Sequence, residues 1–452
     1  MSLARNGLAG VSVDMKKAAV LLTFVLTLFL LALSLGKHTA VAETAVPNSN
    51  TWSAPKIIST GITNAKRPVI QADPNQPGKV MVFFISQSPL NTPLDPYFTV
   101  SQNNGVTWTA PTAVYQSPGV ESKQIHFDFD DQGTAHAAWR EGRALAYANS
   151  GNWSTSFKTL SNPSGDPGVT TPAVATFGSN IHIVWSEGNI SDPDPLKTVP
   201  NILYTRSTDR GATWLAQPVV LTNTGLDSVS PSITTDSLGN VHIVWQELEL
   251  NTLINAAYYV KGTVSANNVT WSTPINISNA IDASSTFSSQ EPRIISTSTG
   301  LKVTVTAIFQ QPIEQYVYLL SCRVNCENPS SWTNEGSVSG TALYVNIEPV
   351  DLASSPTDRL GCTYVFYDGA TTDNLSGKEQ VWMANSCNGW TNARQEITDT
   401  TLRALRPSSA SQANWLYLAY EESLTNETGN ANQIYFQSNE SDYGAYLPML
   451  RK

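Results

Sequence analysis

Short runs of apolar residues recur along the chain and divide it into similar units. Seven runs of five residues stand out, three of them closely similar (135–139, 181–185 and 241–245) and four looser (80–84, 303–307, 363–367 and 416–420). A strand with one exposed face alternates apolar and polar residues, so a run that is apolar throughout predicts a strand buried on both faces. Such burial is expected when one sheet is stacked between two others.

Three further patterns place the other strands around each run. A proline opens the strand before the run in six units: Pro68, Pro172, Pro231, Pro292, Pro349 and Pro407. The unit near residue 122 lacks this proline. An aromatic residue marks the strand after the run: Tyr97, Tyr147, Tyr204, Tyr258, Tyr318, Trp382 and Tyr435. A tryptophan marks the outermost strand: Trp52, Trp108, Trp153, Trp214, Trp271, Trp332 and Trp390. Repetition of this kind predicts an all-β, seven-bladed β-propeller with four-stranded antiparallel blades.

The two ends of the chain complete each other in this scheme. Residues 51–55 match residues 107–111, an outer strand, but no blade precedes them. The last unit, 407–438, has three strands and no following tryptophan. We therefore expect the N-terminal strand around Trp52 to join the last blade, which closes the ring and removes two exposed sheet edges. This predicts one propeller domain over residues 43–442.

A turn motif between the third and outer strands supports the same fold. Residues 207–214 read Ser-x-Asp-x-Gly-x-Thr-Trp, and residues 101–108 repeat the pattern with Asn in place of Asp. The motif resembles the Asp-box (BNR repeat) of the sialidase-type β-propellers, in which it closes a hairpin and has no catalytic part. The resemblance assigns structural roles to nine residues: Ser207, Asp209, Gly211, Thr213, Trp214, Ser101, Asn103, Gly105 and Trp108.

The charge and the termini indicate an exported protein. The chain has 26 basic and 36 acidic residues, a net charge of −10, which argues against a nucleic-acid partner. Residues 1–42 have the pattern of a signal peptide, with Lys16 and Lys17 before an apolar run and a small-residue cleavage site at 40–42. The alternative is an uncleaved membrane anchor, because the run of 18 residues is near the spanning length. The tail, 443–452, lies outside the repeat. Two interpretations stay open: a terminal packing strand, or a sorting tag, since the tail resembles short tails of some bacterial secreted proteins.

All four cysteines lie in the part of the chain expected outside the cytoplasm, where an even number favours disulfides. Four cysteines allow three pairings. We favour Cys322 with Cys326 within one turn, and Cys362 with Cys387 across adjacent strands. A zinc site is the alternative, but no histidine lies near these cysteines in the sequence.

Candidate ligand-binding residues are found where inner strands begin, because propellers bind ligands on that face. Arg67 and Arg406 belong to the first and seventh units, which adjoin once the ring closes. Arginine presents a planar fork to a carboxylate, so this pair is the best candidate for holding an anionic group. Further candidates on the same face are Arg140, Arg293, Glu291 and Glu348.

The resemblance to sialidases implies a specific chemistry that can be compared with the residues. Those enzymes use three arginines around the substrate carboxylate, a tyrosine nucleophile activated by a glutamate, and an acidic acid/base residue. Residues 66–68 match the family's Arg-Ile-Pro motif only in part, and no tyrosine–glutamate pair stands out. The family's catalytic domain usually has six blades, whereas seven are predicted here.

Two other repeated positions are better explained by the fold than by chemistry. Glu141, Glu187 and Glu247 each follow a tryptophan by two residues, and we expect them to serve the repeat. His136, His182 and His242 occupy one equivalent position in three successive blades, and we expect a structural role for them too. Some seven-bladed polysaccharide lyases use His and Tyr, which keeps a lyase activity open.

The sequence thus predicts a secreted or cell-surface monomer that binds a glycan or another extracellular partner at its central face. Catalysis is not evident from the residues, and no cofactor or metal is predicted. The alternatives are an exo-α-sialidase or related glycoside hydrolase and, second, a polysaccharide lyase.

Overall fold

The computed structural model describes residues 52–87, 92–189, 198–249, 254–266, 268–282, 287–310, 313–340, 343–344, 354–359, 361–371, 378–387, 389–390, 394–398, 400–423 and 432–440. The predicted signal segment and C-terminal tail lie outside this range. Seven four-stranded antiparallel sheets form a ring, numbered here as blades 1 to 7 in chain order. In the described range, no helix has the length and apolar character needed to cross a membrane.

The strands follow the predicted order within each blade. The first is β1 (Lys56–Ile57). Blade 1 contains β2 (Thr63–Ala72), β3 (Val80–Gln87), β4 (Asp95–Ser101) and β5 (Thr112–Ala113). Blade 2 contains β6 (Ser122–Phe129), β7 (Ala135–Glu141), β8 (Ala144–Asn149), the one-turn helix α1 (Trp153–Ser156) and β9 (Lys158–Ser161). Blade 3 contains β10 (Pro167–Phe177), β11 (Asn180–Asn189), β12 (Asn201–Ser207) and β13 (Val219–Val220). Blade 4 contains β14 (Ser228–Thr235), β15 (Val241–Leu248), β16 (Asn255–Val264), β17 (Val269–Trp271) and β18 (Ile275–Asn276).

The remaining blades keep the same order. Blade 5 contains β19 (Phe287–Thr297), β20 (Gly300–Gln310), β21 (Ile313–Cys322) and β22 (Thr333–Ser337), and β23 (Leu343–Tyr344) links it to blade 6. Blade 6 contains β24 (Ser354–Arg359), β25 (Cys362–Thr371), β26 (Gln380–Asn385) and β27 (Gln395–Glu396). Blade 7 contains β28 (Ala404–Gln412), β29 (Trp415–Ser423) and β30 (Asn432–Glu440). Two 3₁₀ turns, Ser278–Ala280 and Pro329–Ser331, complete the regular structure of the described residues.

The N-terminal strand closes the ring, as the sequence predicts. β1 pairs antiparallel with β30, with Ile57 opposite Tyr435. The Ser53 N–H donates to the Ser438 carbonyl at 2.8 Å, which extends the pairing toward Trp52. Blade 7 therefore takes its outer strand from the start of the described chain and its other three strands from the end.

The hydrophobic core lies between blades rather than inside any one of them. Each of the seven interfaces between neighbouring blades holds an apolar cluster built from both, including the interface between blades 7 and 1. Outer-strand tryptophans extend these clusters: Trp214 of blade 3 meets Tyr147 of blade 2 edge-on, with ring centroids 4.8 Å apart. Trp271 and Tyr204 repeat this contact one blade further on. The predicted burial of the second strands on both faces follows from this arrangement.

The turn at residues 207–214 has the hydrogen bonds that its sequence leads us to expect. The Asp209 carboxylate accepts from the backbone N–H of Thr213 at 2.8 Å and from its hydroxyl at 2.6 Å. The Gly211 N–H donates to Ser207 Oγ at 2.8 Å, and Trp214 Nε1 donates to the Gly211 carbonyl at 3.2 Å. Gly211 has a φ of +86°, and a Cβ there would lie 1.9 Å from the Tyr147 hydroxyl. The turn therefore holds blade 3 against blade 2.

The turn at residues 101–108 has the same geometry although Asn replaces Asp. The Asn103 side-chain oxygen accepts from the Thr107 N–H at 2.9 Å, and the Gly105 N–H donates to Ser101 Oγ at 2.8 Å. Trp108 Nε1 donates to the Gly105 carbonyl at 3.1 Å. An amide oxygen can thus replace the carboxylate oxygen as the hydrogen-bond acceptor in this turn.

Two disulfides join the four cysteines in the favoured pairing. Cys322 bonds to Cys326 just after β21, and Cys362 at the start of β25 bonds to Cys387 just beyond β26. No zinc site is formed, because all four thiols are consumed in these bonds.

Candidate functional site

The inner strands share a backbone irregularity at the central channel. In six blades a non-glycine residue adopts a positive φ, between 44° and 54°: Arg67, Gln124, Thr171, Ser230, Glu291 and Arg406. Each lies at a shift in register with the second strand, so that two residues oppose one, as in a β-bulge. We call these six residues the bulge ring. Left-handed backbone is costly for non-glycine residues and tends to persist at functional sites.

Proline follows the bulge residue in five of these six blades, which explains the proline pattern seen in the sequence. Proline has no backbone N–H, so none is left unpaired at the second position of the bulge. Blade 2 has Ile125 instead, and for this reason its bulge residue, Gln124, was not found from the sequence. In blade 6 the described inner strand is Ser354–Arg359. Pro349 and Glu348 lie outside the described residues.

Bonds between neighbouring blades hold the bulge ring in place. The Arg67 N–H donates to Glu421 Oε2 of blade 7 at 3.1 Å, and the Arg406 N–H donates to Asp368 Oδ2 of blade 6 at 2.7 Å. The Thr171 N–H likewise donates to the Gln124 side chain of blade 2 at 3.0 Å. Inner strands are sheet edges, so these bonds satisfy backbone groups that would otherwise face the channel unpaired.

The inner strands surround a cavity of about 510 Å³, a size typical of ligand pockets. Of the predicted candidates, the structure brings four to its wall: Arg67, Arg406, Arg293 and Glu291. Arg406 Nη1 donates to Glu421 Oε2 at 2.9 Å, and Arg293 Nη2 donates to Glu291 Oε2 at 2.6 Å. Arg67 and Arg406 come from adjacent blades, as expected, whereas Arg293 belongs to blade 5.

Arg140 is not part of this cavity. Its Nε donates to the Gly142 carbonyl at 2.6 Å, at the rim of blade 2. The sequence places Arg140 at the end of β7 but does not reveal that its side chain folds back onto the following turn.

Three titratable residues of the cavity wall were missed in the sequence: His126, Asp128 and Asp358. His126 and Asp128 lie two and four residues after Gln124 and line the channel. His126 Nδ1 accepts from the Val174 N–H at 3.1 Å, so the ring proton of the neutral imidazole is on Nε2. Burial, with a further contribution from the charge of Arg293, lowers the pKa of His126 to about 4. A signal was available, since His126 and Arg293 each follow a bulge residue by two positions.

Asp128 is tied to the next blade. Its Oδ2 accepts from the Thr176 N–H at 2.9 Å and from the Thr176 hydroxyl at 3.1 Å. Burial raises the pKa of Asp128 to about 6, even though these hydrogen bonds act in the opposite direction. The channel wall of blade 2 therefore combines a neutral imidazole with a carboxyl group that titrates near pH 6.

The repeated glutamates are bonded to other side chains inside the protein. Trp139, Trp185 and Trp245 donate their ring N–H to Glu141, Glu187 and Glu247, at 2.7, 2.8 and 2.6 Å. A serine hydroxyl donates to the same carboxylate oxygen in each case. These contacts are those of a structural repeat.

The repeated histidines are buried against the third strand. His136, His182 and His242 lie within hydrogen-bond distance of Tyr147, Tyr204 and Tyr259, at 2.7, 2.6 and 2.7 Å. Burial lowers the pKa of all three histidines and raises that of all three tyrosines. These enclosed pairs cannot reach a polysaccharide, so they do not provide the His and Tyr of a lyase site.

Tyrosine–glutamate pairs occur in the described residues, but away from the cavity wall. Tyr258 donates to Glu249 at 3.1 Å, and Tyr316 donates to Glu314 at 2.9 Å. Neither tyrosine lines the channel, and no other tyrosine does so in the described part of the chain. Burial raises the pKa of Tyr258 to about 12, which makes its phenolate less accessible rather than more.

Comparison with known proteins identifies the fold but no family. No protein-family model matches the chain, and no curated protein matches it in sequence. A crystal structure of a Dyadobacter fermentans protein of unknown function aligns with 12% identity and a TM-score of 0.51, over 86% of this chain and 99% of that one. At such identity the likeness shows a shared fold alone.

A sialidase and an arabinofuranosidase also align, at lower scores. A Trypanosoma rangeli sialidase in complex with the inhibitor DANA gives 11% identity and a TM-score of 0.46, over 86% of this chain and 57% of that one. The Podospora anserina α-L-arabinofuranosidase in complex with cellotriose gives 13% identity and a TM-score of 0.35, over 62% and 95%. This chain therefore spans little more than half the length of the sialidase.

Proposed function

We propose that the protein is an extracellular, non-catalytic binding propeller that holds an acidic glycan at the mouth of its central channel. The observation that carries the proposal is the bulge ring. Six blades place one residue each in the same strained backbone conformation, and the residues are Arg, Gln, Thr, Ser, Glu and Arg. A strained conformation maintained in blade after blade, with polar side chains that vary among the blades, is typical of a ligand site.

The two arginines of the ring suit a carboxylate on the ligand. Arg67 and Arg406 come from adjacent blades, and Glu421 accepts from both the Arg67 N–H and the Arg406 side chain. Glu421 is only 1% exposed, so it fixes the two bulges relative to each other. Two guanidinium groups on adjacent bulges that are fixed in this way can bind one carboxylate between them. Gln124 adds a side-chain amide on the channel wall that can bond sugar hydroxyls.

The cavity wall favours binding over hydrolysis. A sialidase mechanism needs a tyrosine beside the substrate carboxylate. Within the described residues that line the channel there is no tyrosine. Its acidic residues are engaged: Asp128 accepts from Thr176, Glu291 from Arg293 and Asp358 from the Gly361 N–H. Binding through arginines and neutral polar groups requires none of the missing parts.

Calorimetry with sialyllactose, a galacturonate oligosaccharide and neutral lactose tests the proposal. We expect the two acidic sugars to bind with Kd between about 1 μM and 1 mM, and lactose to bind at least about tenfold more weakly. Arg67→Ala should weaken binding of the acidic sugars by about tenfold or more. Arg143→Ala is the matched control, because Arg143 pairs with Asp166 on the surface, away from the channel, and should bind as the wild type does.

A fluorogenic sialoside distinguishes the main alternative. Turnover that disappears in Arg67→Ala would replace the proposal with an exo-α-sialidase. Folded protein that binds neither acidic sugar would also contradict it.

A further inference from the structure

The His–Tyr pair of blade 3 lacks a partner that its neighbours have. In blades 2 and 4 the histidine Nε2 bonds to an aspartate: His136 to Asp130 at 3.3 Å and His242 to Asp236 at 3.2 Å. Both aspartates lie six residues after the bulge residue. In blade 3 that position is Phe177, whose side chain is 41% exposed. Nε2 of His182 consequently has no hydrogen-bond partner, although the residue is fully buried.

The position of the ring proton follows from the neighbouring blades. A carboxylate only accepts hydrogen bonds, so Nε2 of His136 and His242 carries the proton, and Nδ1 accepts from the tyrosine hydroxyl. His182 keeps the same contact with Tyr204, at 2.6 Å. Its Nε2–H is therefore a buried donor without an acceptor in the described residues, an arrangement that is unfavourable unless an acceptor is supplied.

A buried cation lies beside this donor. Arg206 pairs directly with His182 across β11 and β12, so the two side chains share one face of the sheet. That face meets blade 4, since Arg206 Nη1 donates to the Ser265 carbonyl at 3.1 Å and Tyr204 packs against Trp271. Arg206 is 5% exposed and forms no ion pair with any described carboxylate.

The neighbouring blades do not have this imbalance of charge. The residue opposite His242 is Lys261, which pairs with Glu327 at 2.8 Å. The residue opposite His136 is the neutral Asn149. Blade 3 thus has the cation, Arg206, but no counterpart of Asp236 or Glu327. Buried charges in proteins are almost always paired, because an isolated charge in a low-dielectric interior is very costly.

We propose that a chloride ion occupies the interface of blades 3 and 4, bound by the Nε2–H of His182 and the guanidinium of Arg206. It takes the place that the carboxylate oxygens of Asp130 and Asp236 have in blades 2 and 4. One negative charge balances one arginine. Nε2 has almost no accessible surface, so the ion enters by displacing neighbouring side chains, and a single-atom ion needs a smaller displacement than an oxyanion. The small exposed fraction of Arg206 provides the route from solvent. This site is separate from the channel and independent of its ligand.

Bromide, which replaces chloride and scatters anomalously, gives the direct test. We expect crystals of the protein soaked in sodium bromide to show an anomalous peak within hydrogen-bond distance of both His182 Nε2 and the Arg206 guanidinium. The equivalent positions beside His136 and His242 should show no peak and serve as internal controls. A water molecule or no density at His182 in those crystals would overturn the proposal.

Thermal unfolding gives the corresponding test in solution. We expect the wild-type Tm to rise by about 2 °C or more when chloride replaces gluconate at constant ionic strength. Arg206→Leu should abolish this response. Phe177→Asp should abolish it too, because it supplies the missing carboxylate, and its Tm in gluconate should equal or exceed that of the wild type.

Lys261→Gln is the matched control, since it removes the corresponding cation of blade 4 and should leave the chloride response intact. A response that persists in both Arg206→Leu and Phe177→Asp, or is absent from the wild type, would contradict the chloride site.

Discussion

Blades 2, 3 and 4 carry the same tryptophan, glutamate and histidine at equivalent positions of the second strand, whereas their bulge residues are Gln124, Thr171 and Ser230. The two sets of positions are only a few ångströms apart across one strand pairing, since each bulge lies opposite the tryptophan. The second-strand positions repeat the same side chains, whereas the bulge positions repeat only the backbone conformation.

The contacts explain this difference. The polar groups of the repeated tryptophan and glutamate bond to each other and to a serine, all within the protein. Substitution there would leave a buried group unpaired, so the same side chains recur. The Thr171 N–H is bonded to the neighbouring blade, while Gln124 and Thr171 line the cavity and their side chains are not fixed by the repeat. In this propeller, positions with the same side chain in several blades therefore have a structural role. Positions with a shared backbone conformation but different side chains belong to the candidate site.

The largest expected effect is at a repeated position. Trp185 is fully buried between blades 2 and 3, and its ring N–H donates to Glu187. Trp185→Ala should lower the free energy of unfolding by about 3–5 kcal/mol, since it opens a cavity and leaves the carboxylate without this donor. Urea denaturation measures the change. Leu238→Ala, at a side chain that is 81% exposed, is the control and should stay within about 0.5 kcal/mol of the wild type. Equal effects of the two substitutions would contradict the structural role assigned to the repeated positions.

The channel wall should show opposing pH dependences. The pKa of His126 is lowered from 6.5 to about 4, so the unfolded chain takes up the proton first and stability is lost as pH falls through this window. The pKa of Asp128 is raised from 3.8 to about 6, so the folded protein takes up the proton first and stability is gained as pH falls from about 6. In the wild type the two contributions offset each other.

Single substitutions should separate the contributions of His126 and Asp128. Relative to the wild type, His126→Gln should gain stability as pH falls from 6.5 to about 4, and Asp128→Asn should lose it, by at most about 3 kcal/mol in each case. Urea unfolding across this pH range measures both differences. Gln71 lies in the same wall and does not titrate. Gln71→Ala should therefore shift the curve of unfolding free energy against pH without altering its slope. Parallel curves for all three variants would show that the imidazole and the carboxyl group are solvated like surface groups.

The sequence predicted the repeated positions well because they are periodic. Apolar runs, tryptophans and prolines recur at similar spacing, and the ring closure followed from one unmatched strand at each end. The two disulfides could also be predicted from the sequence, because they join residues within a turn or across a hairpin. Each of these inferences depends on local or repeated geometry, which a linear pattern records.

The channel was harder to predict because its residues differ from blade to blade. Gln124 was missed since blade 2 has Ile125 where the other blades have proline, and His126 was missed with it. Arg140 was wrongly grouped with the channel arginines, because position at a strand end does not determine where a long side chain turns. A positive φ at residues other than glycine is likewise invisible in sequence, so the bulge ring emerged only with the structure.

The smallest effect concerns the strain in the bulge ring. Thr171 has a φ of 44°, unfavourable for a β-branched residue, and its buried hydroxyl has no hydrogen-bond partner. Thr171→Gly should therefore raise the free energy of unfolding by about 0.5–1 kcal/mol, because relief of strain exceeds the entropy lost by glycine. Thr235→Gly, in the regular part of β14, is the control and should destabilise by about 1 kcal/mol. If both variants lose stability alike, the bulge is unstrained. The opposite signs would indicate that this position keeps threonine for its side chain in the channel, at a cost in stability, as expected of a site that serves binding.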